Sequence, residues 1–312
     1  MEIMYLIDKI ASITAKDFEI NYIQKNQPVI IIDAQKTWNN DSVWTPKYLI
    51  ENFGNEITQV YNNFFDLESF MSLKDYIAAY FNKQDIGPLE KIPYVRWYTK
   101  FRDVPFFWAD ALFEKLQMNW EKPYFLPTTN YVLPFSKSMQ KTDPRTDYYP
   151  AKGLFISGRG AMTKLHIDPW ASDSILCQVY GTKRWNLFSP EQGKYLSNGL
   201  GIVDLQYPDK TKFPNYEKAK PDFDFILEAG ETIYVPHGWY HQVFTETDSI
   251  SVTWNFVHKT NLSVFTEWLK AEKSDKDKSI LEFFYKYFTS GPPTMENIEV
   301  LLKENFSDTI LK

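Results

Sequence analysis

From about residue 151 to 257 the chain is a succession of short, turn-bounded apolar runs, and this pattern constrains the fold more than any other feature. Leu154-Phe155-Ile156, Lys164-Leu165-His166-Ile167-Asp168, Ile175-Leu176-Cys177-Gln178-Val179-Tyr180, Arg184-Trp185-Asn186-Leu187-Phe188, Thr232-Ile233-Tyr234-Val235 and Ser249-Ile250-Ser251-Val252-Thr253-Trp254-Asn255-Phe256 have strand length and strand composition. Gly158, Gly160, Gly181, Gly230 and Gly238 punctuate them. Many short strands at close intervals bury their apolar faces by closing into a barrel or stacking as a sandwich. The stretch 189–224 holds Pro190, Pro208, Pro214 and Pro221 and reads as a long excursion from that barrel. With 24 Phe, 20 Tyr and 10 Trp, the chain has ring surface enough for a large β-rich core or a lined pocket.

The flanks read differently. Thr14-Ala15-Lys16-Asp17 starts a helix with Phe18, Tyr22 and Ile23 on its apolar face, and Gln27-Pro28 ends it and opens a strand at Val29–Ile32. A second helix begins at Thr45-Pro46 and stops near Phe53-Gly54, and a third runs from its Ser72 cap to about Phe81. Pro93–Tyr98 has the alternation of a strand. Residues 134–150 are polar and turn-rich and predict a connection, and the pattern beyond 261 is helical. Three segments follow: an α/β segment over 1–133 packing on the barrel, the β core over 134–260, and helices over 261–312. Trp268, Leu269, Phe283, Phe284, Tyr287 and Phe288 are more apolar surface than a short helical pair hides, so the last segment is expected to form a homodimer.

Composition removes several classes of function. With 34 basic against 40 acidic residues the net charge is −6, which disfavours non-specific nucleic-acid binding and adhesion to anionic membranes. No apolar run approaches the ~20 residues of a membrane span, and the first residues lack a basic, signal-like start. A single cysteine, Cys177, excludes an intramolecular disulfide and fits a reducing compartment. These features predict a soluble, cytoplasmic protein.

The four histidines, at 166, 237, 241 and 258, carry the chemistry. His166 and Asp168 sit two apart in a strand-like segment, so both side chains point to one face and can hold one metal ion. The second cluster is Pro236-His237-Gly238-Trp239-Tyr240-His241. Its proline, glycine and β-branched flanks oppose the helix that a zinc-binding His pair at this spacing requires, and a strand–turn–strand brings one of the two histidines inward. Two His and one carboxylate make a facial triad with three open positions, a geometry suited to non-haem Fe(II).

Three motifs together resemble the JmjC (Jumonji-C) branch of the cupin-fold 2-oxoglutarate oxygenases, closest to its small protein hydroxylases. They are Thr163-x-x-His166-x-Asp168, then Gln178-Val179-Tyr180-Gly181-Thr182-Lys183-Arg184-Trp185, then Glu228 through His241. The likeness is strong over about 150–260 and weaker over Pro28–Ile32 with Trp38 and Trp44. It implies a mainly β fold with flanking helices around a double-stranded β-helix, or jelly-roll, core. It further implies Fe(II) held by His166, Asp168 and His241, with His237 on the turn and His258 outside the site. The 2-oxoglutarate cosubstrate would meet Lys183 at its distal carboxylate, Thr163, Thr253 and Asn255, and Tyr94 on the earlier strand. Ser174-Ile175-Leu176 departs from the asparagine that many relatives carry there. The activity implied is hydroxylation of a C–H bond, with succinate and CO2 as coproducts, on a protein or peptide side chain, with a small molecule or modified tRNA base as other substrates. Demethylation of N-methyl-lysine, a metal-binding cupin without 2-oxoglutarate turnover, and an inactive scaffold are the rivals. The intact triad opposes the last.

Overall fold

The computed structural model describes residues 6–38, 40–63, 66–83, 91–98, 123–128, 131–133 and 152–271. Strands β1 (Asp8–Ile10), β2 (Val29–Ile31), β3 (Ile57–Tyr61), β4 (Leu67–Ser72), β5 (Tyr94–Tyr98) and β6 (Tyr131–Leu133) precede the glycine-punctuated region. That region supplies β7 (Lys152–Ser157), β8 (Met162–His166), β9 (Asp173–Tyr180), β10 (Lys183–Phe188), β11 (Phe223–Leu227), β12 (Thr232–Val235), β13 (Tyr240–Thr245) and β14 (Ser249–His258). They form two sheets, a large one ordered β1-β2-β12-β9-β14-β7-β5-β3-β4, with β6 on β14, and a small one ordered β11-β10-β13-β8. Between β7 and β14 the chain passes from one sheet to the other at every step except β10 to β11. This is the double-stranded β-helix that the motifs imply, its large sheet widened on both sides by N-terminal strands.

The apolar core lies mainly outside the barrel. Helical segments at Ala15–Phe18, Pro46–Phe53 and Leu73–Tyr80 lie along the outer face of the large sheet. There Phe18, Trp44, Leu49 and Tyr76 share one buried cluster with Ile175, Cys177, Ile250, Val252, Trp254 and Phe256. Each helix begins as its sequence dictates: Thr14, Thr45 and Ser72 each accept a hydrogen bond from the amide three residues on. A second cluster, with Trp185, Leu187, Ile233, Val235 and Val243, fills part of the space between the sheets. No helix among the described residues is long and apolar enough to cross a membrane.

Several expectations need correction. The first helix is α-helical only to Phe18 and continues as a π-helical turn, Glu19–Ile23. The excursion after β10 ends in β11, where alternating Phe223-Asp224-Phe225 was not read as a strand. Asp168 falls outside β8, which stops at His166: Pro169 cannot donate to a ladder, and the residue before a proline is held extended, here at φ −64°, ψ 144°. His258, expected outside the site, is not among the metal trio; it ends β14 and is buried, its Nδ1 3.1 Å from Thr260 Oγ1. The connection over 134–150 and any helix beyond Ala271 lie outside the described residues.

One turn is sterically closed. Gly181 joins β9 to β10 at φ +72°, and a Cβ there would stand 1.9 Å from the Asp248 carbonyl oxygen. Gly199 has a similar φ of +81° with nothing within 4 Å. Gly181→Ala should therefore cost about 2–3 kcal/mol or more, from left-handed strain plus a backbone clash, and Gly199→Ala about 1 kcal/mol. Thermal unfolding of the two variants checks this; equal melting temperatures would contradict it.

Candidate metal centre

Strand pairing builds the centre. On β13 and β8, His241 stands opposite His166, with their ring centroids 4.1 Å apart. The register then slips, so that Val243 faces Thr163 rather than Lys164. Paired residues project to the same side, and His241 and Val243 share a face. The bulge therefore brings Thr163 round to the face of His166, three residues away, which regular alternation would not do. Lys164 points elsewhere and forms an ion pair with Asp204 in the excursion.

Asp168 approaches from the loop beyond β8. His166, Asp168 and His241 place one ligand atom each within 4.8 Å of one another, and among the described residues they form the His/Cys/Asp/Glu trio that meets this spacing. Both rings present the same nitrogen. His166 Nδ1 lies 2.8 Å from the Lys164 carbonyl and His241 Nδ1 3.3 Å from the Trp239 carbonyl. A carbonyl only accepts, so each Nδ1 carries the proton and Nε2 keeps the lone pair for an ion. Burial and the adjacent His241 push protonation of His166 far below its ordinary range, so the ring is a neutral ligand at physiological pH. Ser174 Oγ donates to Asp168 Oδ2 at 2.5 Å and fixes the carboxylate. After Asp168 the chain turns through Trp170 and Ala171 at φ 63° and 47°, a costly conformation that aims the preceding carboxylate back at the sheet.

The second histidine cluster separates cleanly. His237 stays on the turn, where its backbone N–H and Nδ1 lie 2.9 and 3.0 Å from Asp173 Oδ1. Asp173 is fully buried, and its other oxygen accepts from Asn261 Nδ2 at 2.7 Å. His237 is thus engaged away from the trio.

The residues expected to meet a cosubstrate line the same interior. Lys183 opens β10, is buried, and donates from Nζ to Ser251 Oγ at 3.0 Å. Burial lowers its pKa from 10.5 to about 7. A buried ammonium whose hydrogen bond goes to a hydroxyl fits an anionic ligand. Thr253 and Asn255 follow Ser251 on the inward face of β14, and Asn255 Nδ2 donates to Ser172 Oγ at 3.1 Å. Tyr94 is buried on β5, its ring 6.3 Å from that of Phe155. Leu176, paired with Thr253 on the neighbouring strand β9, brings no polar side-chain atom to that wall. Sequence reasoning missed Ser174 and Ser251. Ser251 was readable from the polar positions of Ser-Ile-Ser-Val-Thr-Trp-Asn-Phe, whereas Ser174 was noted for its departure from the relatives' asparagine but not for its bond to Asp168.

A family model described as "Cupin-like domain" matches residues 15–262. The chain belongs to this cupin-like family, in its JmjC branch. It is 28% identical over 295 residues to a protein of Arabidopsis thaliana named arginine-specific demethylase JMJ20, covering 85% of this chain and 59% of that one. It is 27% identical over 299 residues to 2-oxoglutarate and iron-dependent oxygenase JMJD4 of Gallus gallus, covering 89% and 66%. Jumonji C domain-containing protein 5 of Drosophila melanogaster is 22% identical over 252 residues, covering 76% and 56%. The chain thus spans less than two thirds of each of these relatives.

The geometry predicts which substitutions reach the metal. His166→Ala, Asp168→Ala and His241→Ala should each abolish stoichiometric Fe(II) or Mn(II) binding, His237→Ala should bind normally, and Ser174→Ala should lose roughly 10–100-fold in affinity. Titration followed by isothermal calorimetry decides it. Normal binding by His241→Ala together with loss in His237→Ala would overturn the ligand set.

Proposed function

We propose that the protein is an Fe(II)- and 2-oxoglutarate-dependent oxygenase that hydroxylates a C–H bond of a protein or peptide side chain. The observation that carries this reading is the His166–Asp168–His241 trio and the buried Lys183 facing one barrel interior. Fe(II) held there would supply the oxidative chemistry of 2-oxoglutarate and O2, by which C–H becomes C–OH while the oxo acid becomes succinate and CO2. The chain's own work is placement. His166, Asp168 and His241 hold one ion and leave its other positions to ligands. Lys183 takes the distal carboxylate by a charge-assisted hydrogen bond, while Thr163, Thr253, Asn255 and Tyr94 orient the rest. Trp185, stacked 5.6 Å from His241, walls the centre from water.

Demethylation is the second reading, favoured by the names of two relatives, the demethylases JMJ20 and JMJ22 of Arabidopsis thaliana. It uses the same centre and differs in the substrate. A cupin that binds metal without 2-oxoglutarate leaves the buried Lys183 unexplained. Small molecules and modified tRNA remain within the substrate range of this reading, and the lone buried Cys177 supports a cytoplasmic setting.

Succinate release from 2-oxoglutarate by purified protein with Fe(II) tests the class. Lys183→Ala should weaken 2-oxoglutarate binding about 10–150-fold, corresponding to ~1.5–3 kcal/mol, with Fe(II) binding unchanged. The low pKa of Lys183 adds a pH signature. Below about 7 the ammonium is already charged, whereas above it the bound carboxylate must draw a proton onto the amine. Affinity should therefore fall as pH rises from 7 to 9, with proton uptake seen by calorimetry in buffers of different ionisation enthalpy. Affinity independent of pH over that range would remove Lys183 from the site.

The homodimer through 261–312 belongs to the same proposal. Light scattering should give about twice 36.8 kDa for the intact chain and the single mass for Phe284→Glu/Phe288→Glu. A monomeric intact chain at micromolar concentration would end the dimer.

A further inference from the structure

We propose that Arg96 is a second cosubstrate cation, forming with Lys183 a clamp for a dicarboxylate 2-oxo acid; the inference rests on the oxygenase reading above. Pairing puts Arg96 on the wall that Lys183 reaches from the other sheet. Arg96 of β5 stands opposite Phe155 of β7, Phe155 stands opposite Ser251 of β14, and Ser251 Oγ accepts from Lys183 Nζ. Residues paired across strands share a face, so this row runs along the barrel interior. Both cations lie against one ring. The Arg96 guanidinium carbon is 5.1 Å from the Phe155 centroid and Lys183 Nζ is 5.8 Å from it.

The guanidinium is held in place. Besides Phe155 it lies 5.5 Å from the Tyr61 ring and 5.9 Å from the Tyr94 ring, so aromatic surfaces on three strands restrict it. Arg96 therefore shares a ring and a strand-crossing row with Lys183. A ligand joining the trio to Lys183 would bring its distal carboxylate to this pair of cations.

Charge decides what that ligand is. The trio with a divalent ion sums to +1, and a 2-oxo dicarboxylate brings −2. One lysine would balance this, but burial leaves Lys183 only partly charged near neutral pH. A guanidinium keeps its charge at any physiological pH and donates to a carboxylate in a planar fork. On the same sheet the neighbouring row Thr253–Leu176–Ile233 is largely apolar, whereas the row of Arg96 passes through Phe155 and Ser251 to Gln178, so the cationic contact falls at the Lys183 end of the ligand.

The test uses the full chain loaded with Mn(II) and titrated anaerobically with 2-oxoglutarate. Arg96→Met and Arg96→Gln should bind it at least tenfold more weakly and Arg96→Lys within threefold of wild type, while Mn(II) affinity stays within twofold in all three. On wild-type protein, 2-oxoglutarate should also protect Arg96 from phenylglyoxal, read by peptide mapping, and this second measurement holds even where a variant fails to fold. Affinity within twofold of wild type in Arg96→Met, or unprotected Arg96 in the saturated wild-type protein, would overturn the clamp and leave the oxygenase reading standing. Failure of the Mn(II)-loaded wild type to bind 2-oxoglutarate at all would take both down.

Discussion

Strand β14 is buried along its whole length, and its two faces have opposite chemistry. Ile250, Val252, Trp254 and Phe256 point outward beneath the N-terminal helices, whereas Ser249, Ser251, Thr253 and Asn255 point inward. Each outward side chain removed from water contributes about 1.5–3 kcal/mol. Each inward polar group left unpaired would cost about 1–3 kcal/mol. The polar interior is tolerable because the stabilising burial happens on the other side of the same strand. A jelly roll with its apolar core between the sheets would have no room for a charged site there. The helices capped by Thr14, Thr45 and Ser72 are thus a condition for the cavity, since they cover the face that holds the large sheet together.

The small sheet supplies precision rather than stability. Its pairing fixes the distance between His166 and His241, and its bulge rotates Thr163 onto their side. The carbonyls of Lys164 and Trp239 select the tautomer of each ring, so backbone geometry alone presents two Nε2 lone pairs to one point. Asp168 comes from a loop and needs side-chain support. Ser174 provides it from the large sheet, so the carboxylate is the one member of the trio held from both sheets.

The fold was legible wherever one periodicity acted alone. The strands from β7 to β14 were read from their alternation and glycines, except β11, whose residues fell at the end of a proline-rich excursion. The strands β1, β3 and β4 escaped because they are short, half-exposed edge or hairpin strands whose apolar residues do not alternate cleanly, as in Leu67-Glu68-Ser69-Phe70. At the site, the residues His166, Asp168 and His241 could be named from their motifs, but the route by which Asp168 arrives could not. The strand was expected to carry it, and a proline ends that strand first. Thr163 came from resemblance, and the bulge that turns it inward has no signature in the sequence. The role of Ser174 was hidden because its bond to Asp168 depends on how the loop between them turns, and Arg96 because its partners Phe155 and Lys183 are far away in the chain.

Asp173 gives the centre an attachment that its ligands do not reveal. This buried carboxylate begins β9, immediately before Ser174, and it holds the turn that leads to His241. Its other oxygen grips Asn261, at the head of the helix Leu262–Lys270. One residue therefore fastens the support of Asp168, the approach to His241 and the exit of the chain from the barrel. Mechanically, that helix is a lever whose fulcrum lies beside the metal ligands: a torque on it is delivered to β9 and the histidine turn together.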